Sequence, residues 1–206
     1  ATGGNTTGNI PNANAVAYGI LNNAYGNGAG LVTVGSLNAT AIANAGKSTK
    51  TEDQPNAYAS GIYNFKSGAN STAKVIVTGA TAIIATAKTN NDNSLVQANG
   101  VNNSGEIELQ GTTSIRATAA ATGKNQVLAL GLVSNNGTVN LKNDATISTA
   151  VTVGETSIFF VADSLSADNF STINVGTDGT ASLGKTVKLD MTYLKNQSKS
   201  AFNTTR

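Results

Sequence analysis

Apolar and polar residues alternate in short runs along this chain, and Asn/Gly pairs punctuate the runs. Between residues 96 and 151 the pattern repeats. VQANGVNNSGEIELQGTTSIRATAAA, from Val96, is followed by VLALGLVSNNGTVNLKNDATISTAV, from Val127. Gly100 falls on Gly131 and Val101 on Leu132, a step of 31. With Val133 taken as an inserted residue the step becomes 32, which sets Asn103 on Asn135, Gly105 on Gly137, Ile107 on Val139, Leu109 on Leu141 and Ile115 on Ile147. One unit therefore reads as three short strands, half-buried by their alternation. A fixed period of this length marks stacked repeats, in which no unit can bury its apolar face alone.

The rest of the chain follows the same scheme. Runs at 15–22, 31–35 and 39–43 form a first unit, and runs at 58–64, 74–79 and 81–87 a second. A degraded fifth unit occupies 158–162, 171–176 and 180–183, followed by the alternating run 186–193 with Val187, Leu189, Met191 and Tyr193 on one face. The inward position of the second strand is read as Val34, Val77, Leu109, Leu141 and Val175, at steps of 43, 32, 32 and 34. That of the third strand is read as Ile42, Ile83, Ile115, Ile147 and Leu183. The polar insert at 44–57 accounts for the longest step, since a solenoid accepts insertions at its turns while the strands keep register, and a second polar loop occupies 88–93.

Equivalent strands one period apart are alike rather than complementary, so like is expected to stack on like, about 4.8 Å apart. The expected fold is all-β: a right-handed parallel β-helix of about five rungs, each of three short strands with Asn/Gly corners, roughly 25 Å long. The corners at Asn22-Asn23, Asn64, Asn102-Asn103 and Asn135-Asn136 suit left-handed backbone angles and stacked amide ladders. Asn-Gly pairs also mark β-hairpins, and that remains the alternative architecture. Residues 1–14 read as a linker or irregular first rung, 15–193 as the β-helix and 194–206 as a polar tail. The register sets Lys74 over Glu106 and Gln110 over Lys142 on the outer face.

Composition narrows what such a coil can do. Only 5% of residues are aromatic against 39% hydrophobic, so the interior must be built from Ala, Val, Ile and Leu, which suits a narrow core. Charged residues are 12%, about half the usual share, leaving solubility to Asn, Thr and Ser. A net charge of +2 with dispersed basic residues gives no electrostatic footprint for nucleic acid. Without Cys or His there is no disulfide framework, thiolate site or imidazole base. No apolar run reaches the roughly twenty residues of a membrane-spanning helix.

Candidate chemistry is sparse. Glu106 and Glu108 share one strand face, yet their register neighbours are Lys74, Ile76, Thr138 and Asn140, so no second carboxylate joins them as a polysaccharide lyase or hydrolase would need. Asp163, Asp168 and Asp178 lie near turns without the spacing of a calcium loop. Gly46-Lys47-Ser48 lacks the context of a phosphate loop. The outward middle position of the second strand, Thr33, Ile76, Glu108, Asn140 and Asn174, is not the flat Thr array of an ice-binding solenoid. No catalytic residue, cofactor or metal ligand is expected.

In GVNNSGEIELQGTTSIRATA and GLVSNNGTVNLKNDATISTA an apolar strand ends in Gly, an Asn-rich corner follows, then a Gly-initiated V/I-x-V/L strand, a short corner and a third strand. This run resembles the passenger segments of bacterial autotransporters, over roughly residues 15–190. The resemblance implies export to the cell surface and an adhesin-type structural and binding role. Its implied partner is a host or bacterial surface protein, a glycan or a second copy of the chain. The family's signal sequence and membrane barrel are not among these residues, as expected of an excised passenger piece. The inserts are expected to project as contact loops, with Lys47, Lys50, Glu52, Asp53, Lys88 and Asp92 as the candidate contact residues. A polysaccharide-acting enzyme, an ice-binding solenoid and a phage tail-spike segment stand as alternatives.

Overall fold

The computed structural model describes residues 14–46, 55–154, 156–168 and 171–175, together with the backbone of 187–195. Among the described residues the regular structure is strand throughout, in fifteen segments. The first rung holds β1 (Ala15–Tyr25), β2 (Ala29–Val34) and β3 (Leu37–Asn44). The second holds β4 (Ala57–Ser67), β5 (Thr72–Val77) and β6 (Thr81–Thr89), and the third β7 (Leu95–Asn103), β8 (Glu106–Leu109) and β9 (Thr113–Ala121). The fourth holds β10 (Gln126–Ser134), β11 (Thr138–Leu141) and β12 (Ala145–Val153), and the fifth β13 (Phe159–Ala167), β14 (Thr172–Val175) and β15 (Val187–Lys195).

Every third strand pairs with the last, giving three five-stranded sheets in the orders β1-β4-β7-β10-β13, β14-β11-β8-β5-β2 and β15-β12-β9-β6-β3. All the pairings are parallel, which sets the hairpin alternative aside. The arrangement is solenoid-like: the chain visits the three sheets in turn and lays each rung in register on the one before.

The second-strand column is as read from the sequence, with Val34, Val77, Leu109, Leu141 and Val175 in direct register. The third-strand column holds for Ile83, Ile115 and Ile147 and fails at both ends. In the first rung Ala39, not Ile42, is in register with Ile83; Ile42 lies beside Thr86 and is 44% exposed. Along β3 the small residues Ala39, Ala41 and Ala43 point inward, the last two in register with Ala85 and Ala87, so the larger Ile marks the wrong face. At the far end Leu189 is in register with Ile147, so the fifth rung's third strand is 187–195. Leu183 lies outside the described residues.

The repeat's extra residue also sits later than Val133. Val133 lies beside Asn102 and Ser134 beside Asn103, so the first strand stays continuous and the surplus is absorbed in the turn, where Asn136 has φ 55°. An unpaired residue in a turn leaves the ladder intact, whereas one inside a strand would break it.

Inside, the core has two parts. Ala57, Ala59, Ala98 and Ala129 of the first sheet meet Ala85, Ala87, Ala117 and Ala119 of the third, a slab in which alanine on both walls allows close approach. Ile62, Val101 and Leu132 instead meet Val75, Ile107, Leu109, Ile83, Ile115 and Ile147 in a wider aliphatic core. Between the two, the first strand changes the face it buries: Ala57 and Ala59 point inward, then Ile62 and Asn64. Gly61, Gly100 and Gly131 stand at this bend. A Cβ at Gly100 would lie 2.1 Å from Ile115 Cγ2 and 2.5 Å from the Gly131 carbonyl, so no larger residue fits.

Beside the aliphatic core runs a buried amide ladder. Asn22 Nδ2 donates to Asn64 Oδ1 at 2.8 Å and Asn64 Nδ2 to Asn103 Oδ1 at 2.8 Å. Asn103 Nδ2 reaches Ser134 Oγ at 3.4 Å, where the ladder ends. The same amides hold second-strand carbonyls, Asn64 bonding Ala73 and Glu106, so they join strand to strand across the corner.

Candidate functional site

Rungs 1 and 2 differ from rungs 3 and 4 at the corner between first and second strands. β1 and β4 run eleven residues each, two more than β7 and β10. The extra length forms a paired two-strand arm, with Asn23 beside Phe65, Ala24 beside Lys66 and Tyr25 beside Ser67. The arm turns back at Gly26 and Gly68, whose φ of 63° and 117° favour glycine. Ser104 Oγ of the third rung accepts the Lys66 N–H at 3.0 Å and ties the arm to the coil.

Five aromatic rings gather on the outer face of the first sheet at these two rungs. Tyr18 lies 5.8 Å from Tyr58 and 5.4 Å from Tyr63 between ring centroids. Tyr58 meets Tyr63 edge-on at 6.5 Å, and Tyr63 runs nearly parallel to Phe65 at 6.0 Å. Phe65 meets Tyr25 at 5.9 Å, where the arm begins. Asn99 Nδ2 and Asn102 Nδ2 both donate to the Tyr58 hydroxyl oxygen, at 2.8 and 3.2 Å. Burial pushes the Tyr58 phenol above its ordinary value, partly offset by those two bonds. Tyr18 and Tyr63 are also raised, chiefly by burial and then by neighbouring tyrosines, so all three remain neutral hydroxyls at physiological pH.

Further along this face come Gln97, Asn99 and Asn102, then Leu128, Leu130 and Val133. Among the described residues the one ionisable side chain on it besides tyrosine is Asp163, which is 4% exposed and accepts the Leu165 N–H. Burial raises the Asp163 carboxyl above its usual range, and the backbone bond opposes that shift. The outer face of the second sheet is its opposite. Lys74 Nζ and Glu106 Oε1 are 2.8 Å apart, as the register reading required, and Gln110 Nε2 bonds Glu108 Oε1 at 3.0 Å. The hydrogen bond to Glu106 leads the effects that raise Lys74, with the Glu106 and Glu108 charges adding to it.

Of the residues expected as loop contacts, Lys88 and Asp92 are described, and both are exposed. Lys88 is exposed near the end of β6, in register with Asn44 and Ala120. Asp92 Oδ1 accepts the Lys124 N–H at 2.6 Å, and the Asn91 carbonyl accepts Asn125 Nδ2 at 2.7 Å. The 88–93 loop therefore clamps the next turn. Lys47, Lys50, Glu52 and Asp53 lie outside the described residues, as does Asp178. Asp168 accepts the Asn136 N–H and the Ser171 hydroxyl, an interlock between turns. Among the described residues no three acidic side chains gather as metal ligands would.

Sequence reasoning missed the aromatic cluster. Its signal was the pairing of AYGILNNAY with YASGIYNF, which hold four of the chain's five tyrosines and half of its ten aromatic residues. No family model, curated protein or solved structure matches the chain.

Proposed function

We propose that this chain is a non-catalytic display and binding module of an exported, cell-surface protein, built as a right-handed parallel β-helix like an autotransporter passenger segment. It meets its partner through the aromatic face of rungs 1 and 2. The aromatic cluster carries this reading. Tyr and Phe give large contact area at little conformational cost, and they concentrate here on a rigid sheet without competing charge. Right-handedness follows from the preference of parallel crossovers. Binding is favoured over catalysis because Glu106 and Glu108 are engaged by Lys74 and Gln110 rather than facing a second carboxylate.

The test uses beads coated with the purified chain, scored for adhesion to cultured epithelial cells and to one another. Replacing Tyr63 and Phe65 together by Ser should lower adhesion at least fivefold, with the melting temperature falling by about 2–4 °C per kcal/mol of lost ring contact. Deleting 47–55 in parallel separates the face from the loop. Adhesion lost with the deletion and kept with the double variant would discard the aromatic face.

A further inference from the structure

The arm makes a step. Rungs 1 and 2 overhang the corner, whereas rung 3 turns within Ser104-Gly105 and rung 4 within 135–137. Beneath the overhang is a groove of about 660 Å³, within the size range of small-ligand sites. Its floor is one register column of the second sheet, Leu31, Lys74, Glu106 and Thr138. Lys66 comes down from the arm as its wall.

The two lysines differ in their engagement. Lys74 is held by Glu106 at 2.8 Å. Lys66 is half-buried, and among the described residues no carboxylate pairs with its ammonium. An ammonium without a paired carboxylate keeps its donors open to an anion entering the groove. Of the side chains that line the groove two carry ammoniums and one a carboxylate, and Glu108, just outside it, acts on Lys74 as well. A monoanion suits that balance better than a phosphate dianion, whose second charge would press on Glu106.

We propose that this groove binds an acidic sugar unit of a glycan, its carboxylate on Lys66. The sugar's hydroxyls reach the Thr138 hydroxyl and the Glu106 carboxylate, and its apolar ring face lies over Leu31. A peptide is a poorer fit, because β5, β8 and β11 are interior strands with both edges paired and offer no backbone for strand addition. The inference rests on the reading of the chain as a binding module, and it adds a ligand class and a site apart from the aromatic face.

Calorimetric titration of the full chain tests it, using trigalacturonate, a glucuronate trisaccharide and sialyllactose, each beside its carboxyl methyl ester. At least one acid should bind at millimolar concentration or better, with its ester about tenfold weaker, as for loss of one charge-assisted bond. Lys66→Gln should lose a similar factor and Lys66→Arg keep affinity within about threefold, since both retain a long side chain and Arg retains the charge. Matching far-ultraviolet spectra and melting curves establish that the variants fold.

No binding by any of the three acids overturns the proposal, as does equal binding of acid and ester or an unchanged Lys66→Gln. Tighter binding of triaspartate or inorganic phosphate than of every saccharide also overturns it. The bead assay separates the two claims. Adhesion that depends on Tyr63 and Phe65 while Lys66→Gln leaves saccharide binding intact removes this inference and keeps the module reading. Adhesion unaffected by the aromatic double variant and by the loop deletion removes that reading instead.

Discussion

Rung 2 gives eleven residues to its first strand, Ala57–Ser67, and six to its second, Thr72–Val77; rung 4 gives nine and four, Gln126–Ser134 and Thr138–Leu141. Inside they are nearly interchangeable. Ala59 corresponds to Ala129, Ile62 to Leu132, Val77 to Leu141 and Ile83 to Ile147, through rung 3 in each case. Outside they share little: Tyr58, Tyr63 and Phe65 on one, Leu128 and Val133 on the other. A stacked repeat constrains each inward side chain twice, from the rung above and the rung below. An outward side chain is constrained only by solvent and by what it meets. The contrast is why the proposed binding face is set on rungs 1 and 2, where the outer side chains of the first sheet are aromatic.

If the interior is common property, damage to it should be equally severe in both regions. The glycine bend gives the largest effect. Gly61 would place a Cβ 2.0 Å from Ile83 Cγ2, and Gly131 would place one 2.4 Å from Ile147 Cγ2, each also within 2.6 Å of a carbonyl oxygen on the next rung. Gly61→Val and Gly131→Val should each cost about 3 kcal/mol or more, from overpacking against backbone that cannot withdraw. Urea unfolding of the two variants measures it. A cost at Gly61 far below that at Gly131 would mean the long-armed rungs are looser, and the shared-core comparison would fail.

The amide ladder sharpens the comparison at a smaller scale. Asn64 is bonded above, below and across the corner, whereas Ser134 offers the ladder only a 3.4 Å contact from Asn103. Asn64→Ala strands buried polar groups and should cost about 2–3 kcal/mol; Ser134→Ala should cost about 1 kcal/mol. Comparing their midpoints in the same urea series checks the order, and a reversal would show that the ladder's strength lies at its serine end.

The same contrast explains what could be read beforehand. Val77, Leu109 and Leu141 are large, inward and flanked by polar residues, so periodicity found them. Ala39, Ala41 and Ala43 are inward too, but alanine gives so weak a signal that outward Ile42 attracted the assignment. Letter agreement pairs Asn103 with Asn135, whereas strand continuity pairs it with Ser134. The arm was invisible because NFKSGANS reads like any polar turn. The aromatic cluster needs the register first: Tyr18, Tyr58 and Tyr63 meet only once the first rung is laid on the second. The groove at Lys66 is a difference between rungs of unequal length, and periodicity averages such differences away.

The smallest predicted effect lies where the outer column of the bend reaches rung 5. In register, this column reads Tyr18, Ser60, Asn99, Leu130 and Asp163, so the carboxyl takes a place filled by neutral groups in every other rung. Burial holds its pKa above the ordinary 3.8, which means the folded chain binds this proton more tightly than the unfolded chain. Stability from the neutral acid is therefore full below the ordinary value and is lost as pH rises through the raised one. Asp163→Asn keeps an oxygen to accept the Leu165 N–H and removes the charge. Its melting temperature should exceed that of the parent at pH 7 by a few degrees and match it near pH 3, a difference that scanning calorimetry at the two pH values resolves. An equal gap at both would mean that folding does not raise the Asp163 pKa, and that this column accepts a charge in rung 5 at neutral pH.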